Sequence, residues 1–106
     1  MPEGFRDAVL AVVAGLAAGE VVSYGDVAGQ AGHSGAGRGV GAVLAGTRTP
    51  VPWWRVVYAD GRLAPGKEAD QGRRLQAEGV DVRDGRVARR RGRSSAPTRR
   101  AGRPPA

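Results

Sequence analysis

The chain of 106 residues contains no cysteine. That excludes disulfides, thiolate metal sites and any cysteine nucleophile. Its single histidine, His33, cannot build a multi-histidine metal site, so no metal is expected. The acidic residues are scattered and form no acid/base pair, and nothing in the chain calls for a cofactor. The longest apolar stretch, Ala8–Ala18, is interrupted by Gly15 and is too short to span a bilayer. Glu3 and Asp7 stand where a secretory leader would carry basic residues. A cytoplasmic protein with no membrane association is expected.

Aromatic residues are few: two Trp, two Tyr and one Phe. The two tryptophans are adjacent, in the run PVPWWRVV at residues 50–57. If that run is a strand, neighbouring side chains point to opposite faces, and both rings cannot enter one core.

Charge is unevenly spread. The formal net charge is +7, yet residues 1–87 carry ten basic and ten acidic residues and are formally neutral. Residues 88–106 carry seven arginines and no acid. The excess therefore belongs to a tail of Arg, Ser, Pro, Gly and Ala without apolar periodicity. Such a segment is expected to be disordered and to add non-specific phosphate affinity. Arg91-Gly92-Arg93 and Gly102-Arg103-Pro104 are partial matches to the core of minor-groove AT-hooks. Residues 1–87 are expected to form one domain.

Phe5, Val9, Val12, Val13 and Leu16 recur at three- and four-residue spacing, which predicts an amphipathic helix over 5–18 stopped by Gly19. Ser23 with Asp26 three residues on reads as an N-cap with a variant capping box, opening a helix over Tyr24–Ala31 that Gly32 ends. Ser34 reads as the cap of a further segment, 35–45, and the pair makes a helix-turn-helix pattern. This segment holds Gly35, Gly37, Gly39 and Gly41, and each interior glycine costs about 1 kcal/mol against alanine. Propensity favours a loop; Val40, Val43 and Leu44 favour a slim helix whose backbone can approach a large partner closely. Trp53–Tyr58 reads as a strand, Asp60-Gly61 as a hairpin turn and Arg62-Leu63 as its short return. Glu68–Glu78 reads as a third main helix with Leu75 in its core. Val80, Val82 and Val87 around Asp84-Gly85 read as a terminal hairpin.

In order, GEVVSYGDVA, GRGVGAVLAG, VPWWRVVYADG and RRLQAEGV resemble the motifs of the DNA-binding domain of O6-alkylguanine-DNA alkyltransferases, over about residues 4–87. The resemblance implies a mostly α fold with small β hairpins, the winged helix-turn-helix-like C-terminal domain of those enzymes. Their Pro-Cys-His-Arg-Val motif stands here as Pro52-Trp53-Trp54-Arg55-Val56, so Trp53 occupies the position of the alkyl-accepting cysteine. The chain is thus similar to the alkyltransferase-like proteins, which lack that cysteine. The resemblance implies recognition of O6-alkylguanine in duplex DNA without repair, by minor-groove binding and base flipping. It also implies recruitment of nucleotide excision repair damage-recognition proteins, action as a monomer, and a nucleoid-associated location.

Site roles follow from the same resemblance. Ser23-Tyr24 matches the Ser-Tyr motif, so Tyr24 would crowd the 3′ phosphate and favour nucleotide rotation. Arg38, in Arg38-Gly39-Val40-Gly41, would enter the stack where the base had been. Gly35, Ala36, Gly37 and Gly39 would keep the helix slim enough for the minor groove. Trp53 would wall the lesion pocket with Tyr24 and Lys67, the nearest match to a basic loop residue of the relatives. Trp54, where the relatives keep histidine, would face the core. Glu78 matches the glutamate that supports that histidine and would be structural. Two other readings of the chain are an operator-reading helix-turn-helix regulator and a protein-interaction module that no longer binds DNA.

Overall fold

The computed structural model describes residues 3–88. The first element, α1, is Glu3–Ala14. It ends earlier than the apolar spacing predicts, at Gly15, whose N–H still reaches Ala11 O and Val12 O at 3.2 Å. Leu16 stays buried nonetheless, because its N–H closes a tighter turn onto Val13 O. Phe5, Val9, Val13 and Leu16 form one apolar stripe.

Strand β1 (Val22–Ser23) leads into α2 (Tyr24–Gln30). The predicted capping box is present in both directions: Asp26 N–H donates to Ser23 Oγ at 3.0 Å, and Ser23 N–H donates to Asp26 Oδ2 at 2.9 Å. The helix ends at Gly32, φ +86, where His33 N–H reaches Ala28 O and Gly32 N–H reaches Gly29 O, a Schellman closure.

The glycine-rich segment is a helix, α3 (Gly37–Gly46), but it starts later than predicted. Ala36, not Ser34, holds the N-cap position and supplies no side-chain cap. Gly35 has φ +89, a left-handed conformation incompatible with the helix, so Gly35 and Ala36 belong to the connecting turn. Val40 and Val43 of α3 are buried against the α1 stripe, with Val27 and Ala28 of α2. This packing is what makes a helix of a sequence that propensity alone leaves a loop.

The largest difference from expectation lies at Trp53–Tyr58. Trp53–Arg55 is a single 3₁₀ turn, and only Val56–Val57 (β2) is extended. The turn is closed by Arg55 N–H on Pro52 O and Val56 N–H on Trp53 O. β2 pairs in parallel with β1, Val22 opposite Val56 and Ser23 opposite Val57. The alternation expected of the tryptophans therefore falls on the valines. Val56 enters the cluster built by α1, α2 and α3, while Val57 enters a second cluster with Leu63, Leu75 and Val87.

Helix α4 (Glu68–Ala77) agrees with its predicted span, and Leu75 is fully buried. Gln71, also fully buried, bonds three main-chain groups. Its Nε2 donates to Trp54 O at 3.1 Å and Val56 O at 2.9 Å, and its Oε1 accepts from Ala64 N–H at 2.7 Å. Strands β3 (Val82–Arg83) and β4 (Arg86–Val87) form the terminal hairpin, with Asp84 and Gly85 both at positive φ as a two-residue primed turn requires. The Asp60-Gly61 turn is present and its short return closes, Tyr58 N–H donating to Arg62 O at 3.0 Å, while the same residues also meet the terminal hairpin. Arg62 bridges to Arg86, and Gly61 O accepts from Val87 N–H at 2.8 Å. A Cβ at Gly61 would lie 2.9 Å from Val87 O, so only glycine fits there. The whole is mostly helical and winged helix-turn-helix-like: α2 and α3 are the pair, and two small two-stranded sheets accompany them.

Candidate functional site

A cavity of about 1110 Å³ opens between α2–α3 on one side and the 3₁₀ turn, the following loop and α4 on the other. Three of its features come from positions that the sequence singles out. Tyr24 opens α2 behind the Ser23 cap, Arg38 is the second residue of α3, and Trp53 opens the 3₁₀ turn. All three line the cavity, as does Lys67 at the N-cap of α4.

The tryptophans do not part company. Their ring centroids are 6.0 Å apart at 87°, an edge-to-face pair, and both line the cavity. Trp54 also packs on the second core cluster, so it serves core and cavity together instead of facing the core alone. Because a 3₁₀ turn advances about 120° per residue, consecutive side chains stay on neighbouring faces. The strand geometry that would have separated them is absent.

Trp54 is held by Glu78. The indole Nε1–H donates to Glu78 Oε2 at 2.9 Å. Arg55 grips the same carboxylate, Nε to Oε1 at 3.0 Å and a terminal nitrogen to Oε2 at 2.6 Å, and its other terminal nitrogen donates to Leu16 O at 2.7 Å. Gly19 N–H adds a fourth donor at 2.8 Å. Arg55 foremost, with Gly19 and Trp54, holds the Glu78 carboxyl down to about 2, against the cost of its burial. It is a fixed anion. The network ties the end of α4 to the loop after α1 and to the floor of the cavity, which makes Glu78 structural, as the missing histidine implies.

Cations and aromatic rings alternate around the tryptophans. Lys67 Nζ lies 5.5 Å from the Trp53 centroid. Arg74 of α4 lies 4.7 Å from the Trp54 ring and 5.9 Å from that of Trp53. No motif in the sequence marks Arg74; its signal is a spacing of seven from Lys67, two helical turns along one face. Tyr58 is equally unmarked. It is the exposed large aromatic of the described residues, and its ring meets that of Tyr24 at 5.1 Å and 61°. Burial, and secondarily Tyr58, push the Tyr24 phenol above its usual range, so it remains a neutral hydroxyl.

Other residues assigned to the interface have different surroundings. Ser23 is buried and its hydroxyl caps α2, so it positions Tyr24 instead of reaching outward. Gly37 owes its missing side chain to a neighbour inside the protein. A Cβ there would sit 3.3 Å from Gly25 N and 3.5 Å from Tyr24 C, so α3 could not lie so close on α2. Gly35, Ala36 and Gly39 frame the start of α3, where Arg38 is exposed. The arginine-rich segment lies, beyond Ala88, outside the described residues. No group of three or more metal-ligating side chains occurs among the described residues.

A pocket walled by indoles, edged with cations and flanked by an exposed helix-turn-helix can stack a planar group and hold a phosphodiester beside it. Known proteins agree with this geometry. The chain is 34% identical over 88 residues to the DNA base-flipping protein of Vibrio parahaemolyticus serotype O3:K6 (strain AQ3810), covering 78% of this chain and 88% of that one. S. pombe Atl1, crystallised in complex with damaged DNA containing O6-carboxymethylguanine, matches with a TM-score of 0.72 at 29% identity, over 78% of this chain and 82% of Atl1. The Mycobacterium tuberculosis O6-methylguanine methyltransferase matches with a TM-score of 0.63 at 32% identity, over 70% of this chain and 47% of the enzyme. The family model for the 6-O-methylguanine DNA methyltransferase DNA-binding domain matches residues 4–80, and the chain belongs to that family.

Proposed function

We propose that this protein recognises O6-alkylguanine in duplex DNA by flipping the damaged base into the cavity, and that it does so without removing the alkyl group. The observation that carries the reading is Trp53. It stands at the cavity where the resemblance puts the acceptor thiol, in a chain with no cysteine. An indole has no lone pair basic enough to displace an alkyl group from oxygen, whereas it stacks well on a purine.

The remaining roles follow from position. Arg38, exposed near the start of α3, fills the gap left by the base. Tyr24 crowds the backbone beside it. Trp53 and Trp54 wall the pocket, and Lys67 supplies charge at its edge. Base flipping costs a few kcal/mol, least at a weakened pair, and stacking returns roughly 1–3 kcal/mol per base. A lesion that weakens pairing is thereby selected without direct sequence readout. The small residues of α3 suit a protein that must scan any sequence. Handing the marked site to nucleotide excision repair, acting as a monomer and residing with the nucleoid complete the reading.

Titration of the full chain against matched duplexes with and without O6-methylguanine, followed by intact-mass analysis, tests it. Preference for the damaged duplex with unchanged protein mass is expected; an alkyl adduct on the protein would overturn it. Repeating the titration on a chain truncated at Ala88 should lower affinity for every duplex and leave the ratio unchanged, because the seven arginines removed add affinity for any polyanion without distinguishing one duplex from another. Loss of all DNA binding on truncation would instead favour a protein-interaction module.

A further inference from the structure

The cavity is electrically one-sided. Its lining includes Arg38, Arg48, Lys67 and Arg74, and among the described residues no carboxylate. Arg38 and Arg48 stand near the two ends of α3, the helix proposed to meet the DNA. Lys67 and Arg74 instead stand over the tryptophans, Lys67 over Trp53 and Arg74 over both rings. Arg74 Nε donates to Asp70 Oδ1 at 3.0 Å, and Asp70 is shared with Arg73 at 3.3 Å, so that trio keeps one net positive charge. Among the described residues, the terminal nitrogens of Arg74 make no hydrogen bond. A guanidinium stacked on a ring keeps its in-plane N–H donors available to a third group.

A flipped guanine bearing a neutral alkyl group needs only apolar contact from the pocket. It would bury part of two cations and neutralise neither. A carboxylate on the O6 substituent would meet both requirements. The guanidinium fork fits a carboxylate through two parallel hydrogen bonds, and the ammonium adds a point charge. We infer that Lys67 and Arg74 form an anion-binding end of the cavity, and that the protein selects O6-guanine adducts carrying a carboxylate over neutral adducts of the same size. The inference rests on the lesion-recognition reading above and adds a rank order by charge.

The experiment uses the full chain and four duplexes that differ at one base: guanine, O6-methylguanine, O6-carboxymethylguanine and its neutral amide, O6-carbamoylmethylguanine. The carboxylate duplex should bind about tenfold or more tighter than the amide duplex, the scale of a charge-assisted hydrogen bond. Arg74→Gln should bring that ratio near one, and Arg74→Lys should leave it intermediate. Equal binding of carboxylate and amide by the unaltered chain overturns the inference while lesion preference stands. So does an Arg74→Gln variant that weakens all four duplexes by one factor, since Arg74 would then be a phosphate contact. If no O6 adduct is preferred to guanine, the lesion-recognition reading itself fails, and this inference with it.

Discussion

Trp54 donates its indole N–H to Glu78 at 2.9 Å, and in doing so joins the wall of the cavity to a carboxylate that Arg55 already holds at 2.6 Å. The partner of Glu78 at this position is a pure donor, with no nitrogen able to take up a proton. Where the related enzymes place a histidine, this chain has a rigid strut.

Glu78→Gln should destabilise the fold by about 3 kcal/mol, because it leaves the Arg55 guanidinium mostly buried without its counter-charge. The pH dependence gives a second reading. The folded-state value of Glu78, about 2, lies below its ordinary 4.5. Its contribution is therefore complete above about pH 4.5 and is lost as pH falls toward 2. Chemical denaturation across that window should show stability falling with acid in the unaltered chain and a flatter profile in the variant.

The two tryptophans should separate on two measurements. Trp53→Ala should lower binding to O6-methylguanine DNA by roughly 1–3 kcal/mol, with little effect on undamaged DNA, which is held mainly through phosphates. Trp54→Ala should lower lesion preference as well, since that ring also lines the cavity, and should in addition cost the fold about 2–3 kcal/mol. Paired titrations and thermal melts check both; a Trp54→Ala variant that melts early with its lesion preference intact would remove Trp54 from the site.

Restoring a thiol should not by itself restore chemistry. In Trp53→Cys the new side chain would find no base beside it, because Trp54 only donates and Glu78 is already a saturated anion. Adding Trp54→His supplies a proton acceptor, and the double variant should transfer a methyl group on the order of a hundredfold faster than the single one. Intact-mass time courses with O6-methylguanine DNA measure both rates. Equal rates would show that position 54 has no say in activating a thiol there.

Gly37→Ala should destabilise the protein by about 1 kcal/mol despite the better helix propensity of alanine. The added Cβ would press at 3.3 Å on the main chain of Gly25, which the capping box of α2 pins in place. Gly46→Ala, with nothing within 4 Å, should be neutral or slightly stabilising. Melting temperatures of the two variants, compared with Arg38→Ala, distinguish a packing role from a role at the DNA.

Elements specified by neighbouring residues were legible in the sequence. Ser23 with Asp26, Gly32 after α2, the span of α4 and the Asp84-Gly85 turn all carry their signal within a few positions. The order of four motifs carried the family, and with it the fold class. The 3₁₀ turn was not legible, because Trp, Val and Tyr all favour strand, and the pairing that shortens it joins Val56 to Val22, far apart in the chain. Gln71 gave no warning either. Polar residues are ordinarily exposed, and only the fold brings two carbonyls and an amide to meet it. Arg74 needed the same knowledge of where α4 lies. Position 54 was half legible: its identity signalled a departure from the family histidine, while its dual placement came from the turn.

The buried amide of Gln71 has a consequence for how such a site can change. It holds the carbonyls of Trp54 and Val56 and the N–H of Ala64, so it anchors the turn by its main chain and from outside. The path of the backbone through positions 53 and 54 is thereby uncoupled from the side chains carried there. A thiol, an imidazole or an indole can be exchanged at these places while the stage on which they stand keeps its shape.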